Sequence, residues 1–170
     1  MLAKAHIGVE EYLGLVFDDR PEPDYVDGEV VERALPTPIH SAIQALLIML
    51  LAPLVSGFGL MLRPELRVRI SDRRFRVIDL AVFQGDKPDG RYATNRALVA
   101  IEILSPDERR GRLADKLEDY RQWGVRHIGV VDPQTKRLSA YSEAGLLRCA
   151  SLRLPEFDFE ISAEELFKDV

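Results

Sequence analysis

The sequence predicts an α/β fold, and the clearest indication is the segment from Leu98 to Asp132. Residues 98–104 form an apolar run interrupted only by Glu102, which is typical of a strand covered on both faces. Residues 112–123 have the spacing of a helix with one apolar side, and residues 127–131 form a second apolar run. A strand, a helix and a strand in this order form a βαβ unit. We therefore expect two parallel strands joined by a right-handed crossover.

Length and composition are those of an ordinary globular protein. The 170 residues allow a substantial core, and we expect a single domain over residues 1–170. The net charge of -5 argues against indiscriminate binding to nucleic acids. The single cysteine, Cys149, excludes an internal disulfide framework and a cysteine-rich zinc site. A reducing compartment, the cytoplasm, is the location we expect.

The first part of the chain predicts two helices separated by a hairpin. Residues 8–17 have the pattern of a short amphipathic helix, and Asp27-Gly28 is a typical hairpin turn between short apolar pairs. Residues 41–54 read as a helix that is apolar around most of its circumference. Because Gln44 and Pro53 interrupt this apolar segment and it is shorter than about 18 residues, we expect no membrane span. Such a helix is buried in the core or against another subunit, which favours a homodimer.

The remaining segments predict further strands and a final helix. Residues 66–70 alternate between apolar and charged side chains, and residues 77–83 are apolar except for Asp79. Residues 84–97 are rich in glycine and polar residues and read as a loop. A hairpin is predicted from residues 138–141 and 146–149, and a short helix is predicted after Ser162.

Three charged residues in apolar surroundings indicate a possible site. Asp79 and Glu102 each interrupt an apolar strand, and Lys116 lies at the edge of the apolar arc of the following helix. Two buried carboxylates close together cannot both stay ionised unless a cation neutralises them. Mg²⁺ does so with oxygen ligands, and a nearby lysine could orient or deprotonate a water molecule. These are the components of metal-dependent phosphodiester hydrolysis.

The same residues also have structural explanations. Asp79 or Glu102 could end its strand and cap a loop. Lys116 could pair with Asp119 at i+3 while its aliphatic stem packs on Trp123. A hydrolase of smaller phosphate esters would use the same three residues in a narrower pocket.

The chain resembles the Uma2 family of restriction endonucleases, within the PD-(D/E)XK nuclease superfamily. The segments that carry the resemblance are YVDGEVVE, PTPIH, VIDLAVF, LVAIEILSP and DKLEDYRQWGVRHIGVVDP. The resemblance implies a restriction-endonuclease-like core, which is a mixed β-sheet flanked by helices with an N-terminal hairpin. It also implies DNA as the substrate and Mg²⁺ as the cofactor, with Mn²⁺ as a substitute. Asp79 and Glu102 would hold the metal, and Lys116 would complete the catalytic set.

The chain departs from the superfamily motif at two positions. Ile78 stands where the motif has proline, and Leu104 stands where most relatives have their lysine, two residues after Glu102. Activity would therefore depend on Lys116 reaching the carboxylates from the helix. Without it, the chain would be a non-catalytic, dimeric binding or scaffold protein that retains the nuclease fold.

Further residues are candidates for supporting roles. Glu29 and His40 match positions that are often acidic or histidine in the family, and they could support the metal site. Both also have structural explanations, His40 as a residue at the start of a helix. The arginines that could meet the DNA backbone are Arg109, Arg110 and Arg112.

Overall fold

The computed structural model describes residues 6–18, 20–106, 110–168 and 170. In this part of the chain the helices are α1 (Val9–Gly14), α2 (Pro38–Phe58), α3 (Arg110–Trp123) and α4 (Ala163–Leu166). The strands are β1 (Asp24–Val26), β2 (Glu29–Val31), β3 (Met61–Ser71), β4 (Arg74–Phe83), β5 (Val99–Ile103), β6 (His127–Asp132), β7 (Arg137–Ser142), β8 (Gly145–Cys149), β9 (Ser151–Leu154) and β10 (Phe159–Ser162).

The described strands form one large mixed sheet and a small hairpin. Eight strands make up the sheet in the order β2-β1-β4-β5-β6-β7-β8, with β3 also paired to β4. Strands β5 and β6 are parallel and are joined through α3, so the predicted βαβ unit is confirmed. The other pairs between named strands are antiparallel, including the N-terminal hairpin of β1 and β2. The predicted mixed sheet flanked by helices is therefore the observed fold.

One edge of β4 is shared by two different strands. Strand β3 pairs along the whole of β4, from Ser71 to Met61, and so occupies the opposite edge. On the shared edge, β1 pairs only at the start of β4, up to Phe75, whereas β5 begins to pair at Leu80. On this edge of β4, residues 76–79 are therefore paired with neither β1 nor β5. A sheet that divides in this way leaves a cleft, and Asp79 lies at its end.

The two faces of the sheet are covered by different helices. Val99, Ile101 and Ile103 of β5 belong to the apolar cluster that includes the buried side of α2. Ala100, between them, belongs to the cluster that contains the apolar side of α3. Because side chains alternate along a strand, Glu102 points to the face that carries α3.

Helix α2 is longer than predicted. Thr37 caps its first turn by accepting a hydrogen bond from the backbone N–H of His40, Pro38 follows, and Gly59 ends the helix in the left-handed region with φ 66°. Its 21 residues include an 18-residue window with a mean hydropathy of 2.0, so length and composition alone would allow a membrane span. Leu47 and Leu51 pack in the core, but only 22% of that window is buried. Much of the outer face of α2 is therefore apolar and exposed.

The C-terminal region contains a hairpin that the sequence did not predict. Strands β9 and β10 have four residues each and are joined by a 3-10 turn at Pro155–Phe157. They are too short for their alternation to stand out from the surrounding loop. The final helix does start after Ser162, as predicted, and the Ser162 hydroxyl accepts a hydrogen bond from the backbone N–H of Glu165.

Candidate active site

The three predicted site residues line one cleft. Asp79, Glu102 and Lys116 all border an open cavity of about 610 Å³, together with His40. Asp79 lies inside β4 and Glu102 inside β5, so neither carboxylate ends its strand. All four side chains are buried apart from what they show to the cleft. The open edge of β4 thus brings the charged residues of two strands and two helices together.

The carboxylate of Glu102 is held by two residues of α3. The Lys116 ammonium donates to Oε2 at 2.6 Å, and the Tyr120 hydroxyl donates to Oε1 at 2.7 Å. Lys116 and Tyr120 are four residues apart and therefore lie side by side on one face of the helix. Lys116 does not pair with Asp119, whose carboxylate instead accepts from Arg76. The lysine thus reaches the strand carboxylate from the helix, in the absence of a lysine at Leu104.

Asp79 is held by backbone and side-chain groups. Its Oδ2 accepts from the backbone N–H of Ile103 at 2.8 Å and lies 3.4 Å from Nε2 of His40. Its Oδ1 accepts from the guanidinium of Arg33 at 2.5 Å. The side-chain amide of Gln44, one turn after His40 on α2, donates to the backbone carbonyl of Asp79 at 2.7 Å. Three separate segments therefore fix this carboxylate at the end of the open edge.

The two carboxyl groups are shifted in opposite directions. Burial raises the pKa of Asp79, but the hydrogen bond with His40 and the charges of Lys116 and Arg33 outweigh it and lower the pKa to about 2. Burial, with the nearby charge of Asp79, raises the pKa of Glu102 to about 8 despite Lys116. Asp79 is therefore ionised at neutral pH, whereas the pKa of Glu102 lies close to neutral pH. Two carboxyl groups with separated pKa values are suited to different chemical tasks.

Glu65 is an additional carboxylate at the site, and its backbone is unusual. It lies within β3, between Pro64 and Leu66, and has a φ of 48°, which non-glycine residues rarely adopt. One oxygen of its carboxylate accepts from Gln44 and the other accepts from Arg33. Such strained residues concentrate at functional sites. Glu65 lies beside Asp79 and borders the same cleft.

His40, Glu65 and Asp79 have the composition of a metal site. One potential ligand atom from each lies within 4.8 Å of the other two. Nδ1 of His40 is buried and has no hydrogen-bond partner among the described residues. Carboxylate oxygens suit Mg²⁺ and Mn²⁺, while an imidazole is a better ligand for transition metals than for Mg²⁺. The residues present therefore fit a divalent cation, with Asp79 at the centre of the set.

A buried ionic cluster docks α3 onto β4. The guanidinium of Arg76 contacts Asp119 of α3 at 2.6 Å and Asp24 of β1 at 3.1 Å. Arg74 contacts the same Asp119 at 2.6 Å. Asp119 lies about one turn after Lys116. The cluster therefore fixes the position of α3 on the sheet so that Lys116 contacts Glu102.

The other predicted residues lie at different places. Glu29 borders a neighbouring cavity of about 320 Å³, with Asp115 and His6, and not the cleft of Asp79. Arg112 is exposed and borders both cavities. Arg109 and the side chain of Arg110 lie outside the described residues. The structure thus brings His40 to Asp79 and separates Glu29 from it.

Four residues of the site were not identified as site residues from the sequence. Tyr120 lies on the predicted apolar arc of α3 and looked like an ordinary core residue. Gln44 lies four residues after His40 on the same face of α2, and this spacing indicates that the two side chains can serve one site. Glu65 follows a proline in a strand, and Arg33 lies in a segment with no regular pattern.

The fold and the cleft define a restriction-endonuclease-like protein, because a mixed sheet flanked by helices presents an aspartate, a glutamate and a lysine at an open strand edge. The chain belongs to the Uma2 family, whose model, described as "Putative restriction endonuclease", matches residues 9–168. Among solved structures, the chain is similar to a protein of Anabaena variabilis described as "a putative nuclease belonging to DUF820". The TM-score is 0.83 at 22% identity, over 95% of this chain and 98% of that one, which establishes the fold. No curated protein sequence matches the chain.

Proposed function

We propose that this protein is a metal-dependent DNA endonuclease that hydrolyses phosphodiester bonds, acting as a single domain over residues 1–170. The observation that carries this proposal is that Asp79, Glu102 and Lys116 line one open cleft. Membership of the Uma2 family supports the choice of a nuclease over other metal hydrolases. The open shape of the cleft favours a polymer over a small phosphate ester.

Asp79 and Glu102 would hold Mg²⁺, or Mn²⁺ as its substitute. Glu65 and His40 are further ligand candidates, since each offers an atom within 4.8 Å of an Asp79 oxygen. When bound, the ion supplies positive charge against the scissile phosphate and lowers the pKa of water. Asp79 is the best-placed ligand because its low pKa keeps it ionised at any physiological pH.

Lys116 would act on the attacking water beside the carboxylate of Glu102. Burial raises the pKa of Glu102 to about 8, and a cation bound to this carboxylate would offset that effect and keep it ionised as a ligand. Lys116, which donates to Oε2 of Glu102, orients this carboxylate and places a positive charge beside the reacting phosphate. Tyr120 holds the other oxygen and so limits rotation of the carboxylate. The two residues would thus hold the ligand carboxylate of Glu102 in place, and the Lys116 ammonium would orient the attacking water beside it.

DNA would reach the site from the open side of the cleft, where Arg112 and Arg20 are candidates to contact phosphates.

We further propose that the protein is cytoplasmic and acts as a homodimer, with contact through the outer face of α2. Met49 and Phe58 of this helix are 62% and 52% exposed, which is unusual for large apolar side chains. A dimer would bury this face.

The test is conversion of supercoiled plasmid to nicked or linear DNA in Mg²⁺ and in Mn²⁺. We expect Asp79→Ala to abolish cleavage, because it removes the central ligand. The matched control is Asp72→Ala, which removes a carboxylate that is 94% exposed and should leave cleavage unchanged. Lys116→Met should lower the rate by about 10²- to 10⁴-fold, with Lys87→Met in an exposed loop as its control. Cleavage by Asp79→Ala at the parent rate would refute the proposal.

A second candidate function is a non-catalytic, dimeric binding or scaffold protein. The exposed apolar face of α2 favours it, because that face could serve assembly without any chemistry. Under this alternative the protein would cleave no form of DNA or RNA in the presence of Mg²⁺. Asp79→Ala would then change only stability.

A further inference from the structure

The side chain of Arg33 occupies the place where a cation is expected. One of its terminal nitrogens contacts Oδ1 of Asp79 at 2.5 Å, and the other contacts Oε2 of Glu65 at 2.7 Å. Together with His40, these two carboxylates form a cluster whose atoms could hold a metal ion. The guanidinium therefore neutralises two carboxylates that would also be ligands for a divalent ion bound at this cluster.

Arg33 contacts the oxygen of each carboxylate for which the described residues provide no other hydrogen bond. Oδ2 of Asp79 already accepts from the backbone N–H of Ile103, and Oε1 of Glu65 accepts from Gln44. A metal ion that took the remaining oxygens would meet the guanidinium at contact distance. Two cations repel each other strongly at that separation in a partly buried site. Arg33 and the metal ion are thus alternative partners for the pair.

The contact is also strong enough to compete. The side chain of Arg33 is only 14% exposed, and the charges of Asp79 and Glu65 raise its pKa despite the opposing effect of burial. A guanidinium stays charged at every physiological pH, so pH does not release it. At neutral pH its release therefore calls for another cation to take over its two carboxylates.

Arg33 is placed so that it can leave without disturbing the fold. It follows the end of β2 at Val31 and precedes α2, which starts at Pro38, in a segment with no helix or strand. Rotation about its side-chain bonds would move the guanidinium into the cleft. No strand pairing of the large sheet depends on it.

We propose that Arg33 is an internal counter-cation that keeps Asp79 and Glu65 together without metal and must be displaced when a divalent ion binds. The inference rests on the proposed function, because it takes the metal to bind at Asp79. Its consequence is that Arg33 sets the metal concentration at which the site becomes loaded. Without Arg33, loading would begin at a lower concentration.

Isothermal titration with MnCl₂, in the absence of DNA, tests this inference. We expect Arg33→Gln to bind Mn²⁺ at least about tenfold more tightly than the parent, which is a gain of about 1.4 kcal/mol. Arg33→Lys should lie between the two, because an ammonium cannot bridge both carboxylates as a planar guanidinium does. The matched control is Arg20→Gln, which removes an arginine that borders the same cleft and pairs with Glu32.

The control separates competition from general repulsion. If Arg20→Gln tightens Mn²⁺ binding as much as Arg33→Gln, only the charge of the cleft matters and the inference is overturned. Unchanged affinity in Arg33→Gln overturns it as well, while leaving the proposed function intact. If neither the parent nor any variant binds Mn²⁺, both proposals fail. A melting curve gives a second readout, since Arg33→Gln should melt lower than the parent without metal and recover in Mn²⁺.

Discussion

The buried cluster around Arg76 allows a quantitative prediction about how α3 is held. We consider Arg76→Met, which keeps much of the aliphatic volume and removes the charge. The side chain of Arg76 is 4% exposed and contacts Asp119 at 2.6 Å and Asp24 at 3.1 Å. Removing it leaves two buried carboxylates with fewer partners. Because an uncompensated buried charge is costly, this variant should be far less stable than the parent.

The size of the loss follows from the remaining contacts. Breaking a buried ion pair by removing one partner costs about 3–5 kcal/mol. Asp119 would keep its contact with Arg74, and Asp24 would keep the backbone N–H of Val77 at 2.8 Å. We therefore expect the lower end of the range, about 3 kcal/mol. If the free energy of unfolding falls by about 2 kcal/mol per molar urea, the urea concentration at the unfolding midpoint would decrease by roughly 1.5 M.

Arg69→Met is the matched control for this measurement. Arg69 also lies in the sheet and also forms an ion pair, with Asp72 at 2.8 Å, but the two side chains are 38% and 94% exposed. Exposed ion pairs contribute less than about 1 kcal/mol. Urea unfolding followed by circular dichroism compares the two variants. Equal losses in Arg76→Met and Arg69→Met, or a loss below about 1 kcal/mol in Arg76→Met, would refute the reasoning.

Three further predictions concern the site and the core. The lowered pKa of Asp79 stabilises the fold above its unfolded value of 3.8, and this contribution is lost as the pH falls toward about 2. Urea unfolding between pH 5 and pH 2.5 should therefore show that the parent loses up to about 2 kcal/mol that Asp79→Asn does not lose. Tyr120→Phe removes a hydrogen bond to the buried carboxylate of Glu102, so its free energy of unfolding should fall by about 1.5–3 kcal/mol, and an unchanged midpoint in urea would contradict the assigned contact. Gly129→Ala should lower the melting temperature, because a Cβ would lie 2.9 Å from Cδ1 of Leu152, and Leu152→Ala in the same chain should reverse the steric part of that loss.

The sequence predicted the part of the fold in which local pattern and final structure agree. The run of residues 98–132 reads as a strand, a helix and a strand because each apolar segment matches one period, and the structure has this βαβ unit. Glu102 was recognisable since a single charge in such a run has no packing role. Lys116 was recognisable because it falls on the apolar arc of a helix. Both were predicted to face the interior, and both do.

The rest of the site depends on relations between distant segments. Glu65 lies beside Asp79 and has a φ of 48° within a strand, a conformation that no sequence pattern signals in a glutamate. Arg33 lies in a segment without regular structure, where periodicity gives no information. The prediction for Glu29 rested on position within a motif. The hairpin of β1 and β2 places Glu29 beside a different cavity.

The position of the lysine on a helix makes the site depend on how α3 is docked. A lysine on β5, two residues after Glu102, would be held by the sheet itself, but this chain has Leu104 there, partly buried in the apolar cluster under α3. Lys116 contacts Glu102 at 2.6 Å only while α3 keeps its position along the sheet. Asp119 and its two arginines provide that constraint about one turn away. A shift of one helical turn moves a side chain by about 5 Å, which would break the contact completely. The ionic cluster is therefore as necessary to the site as the residues that line it.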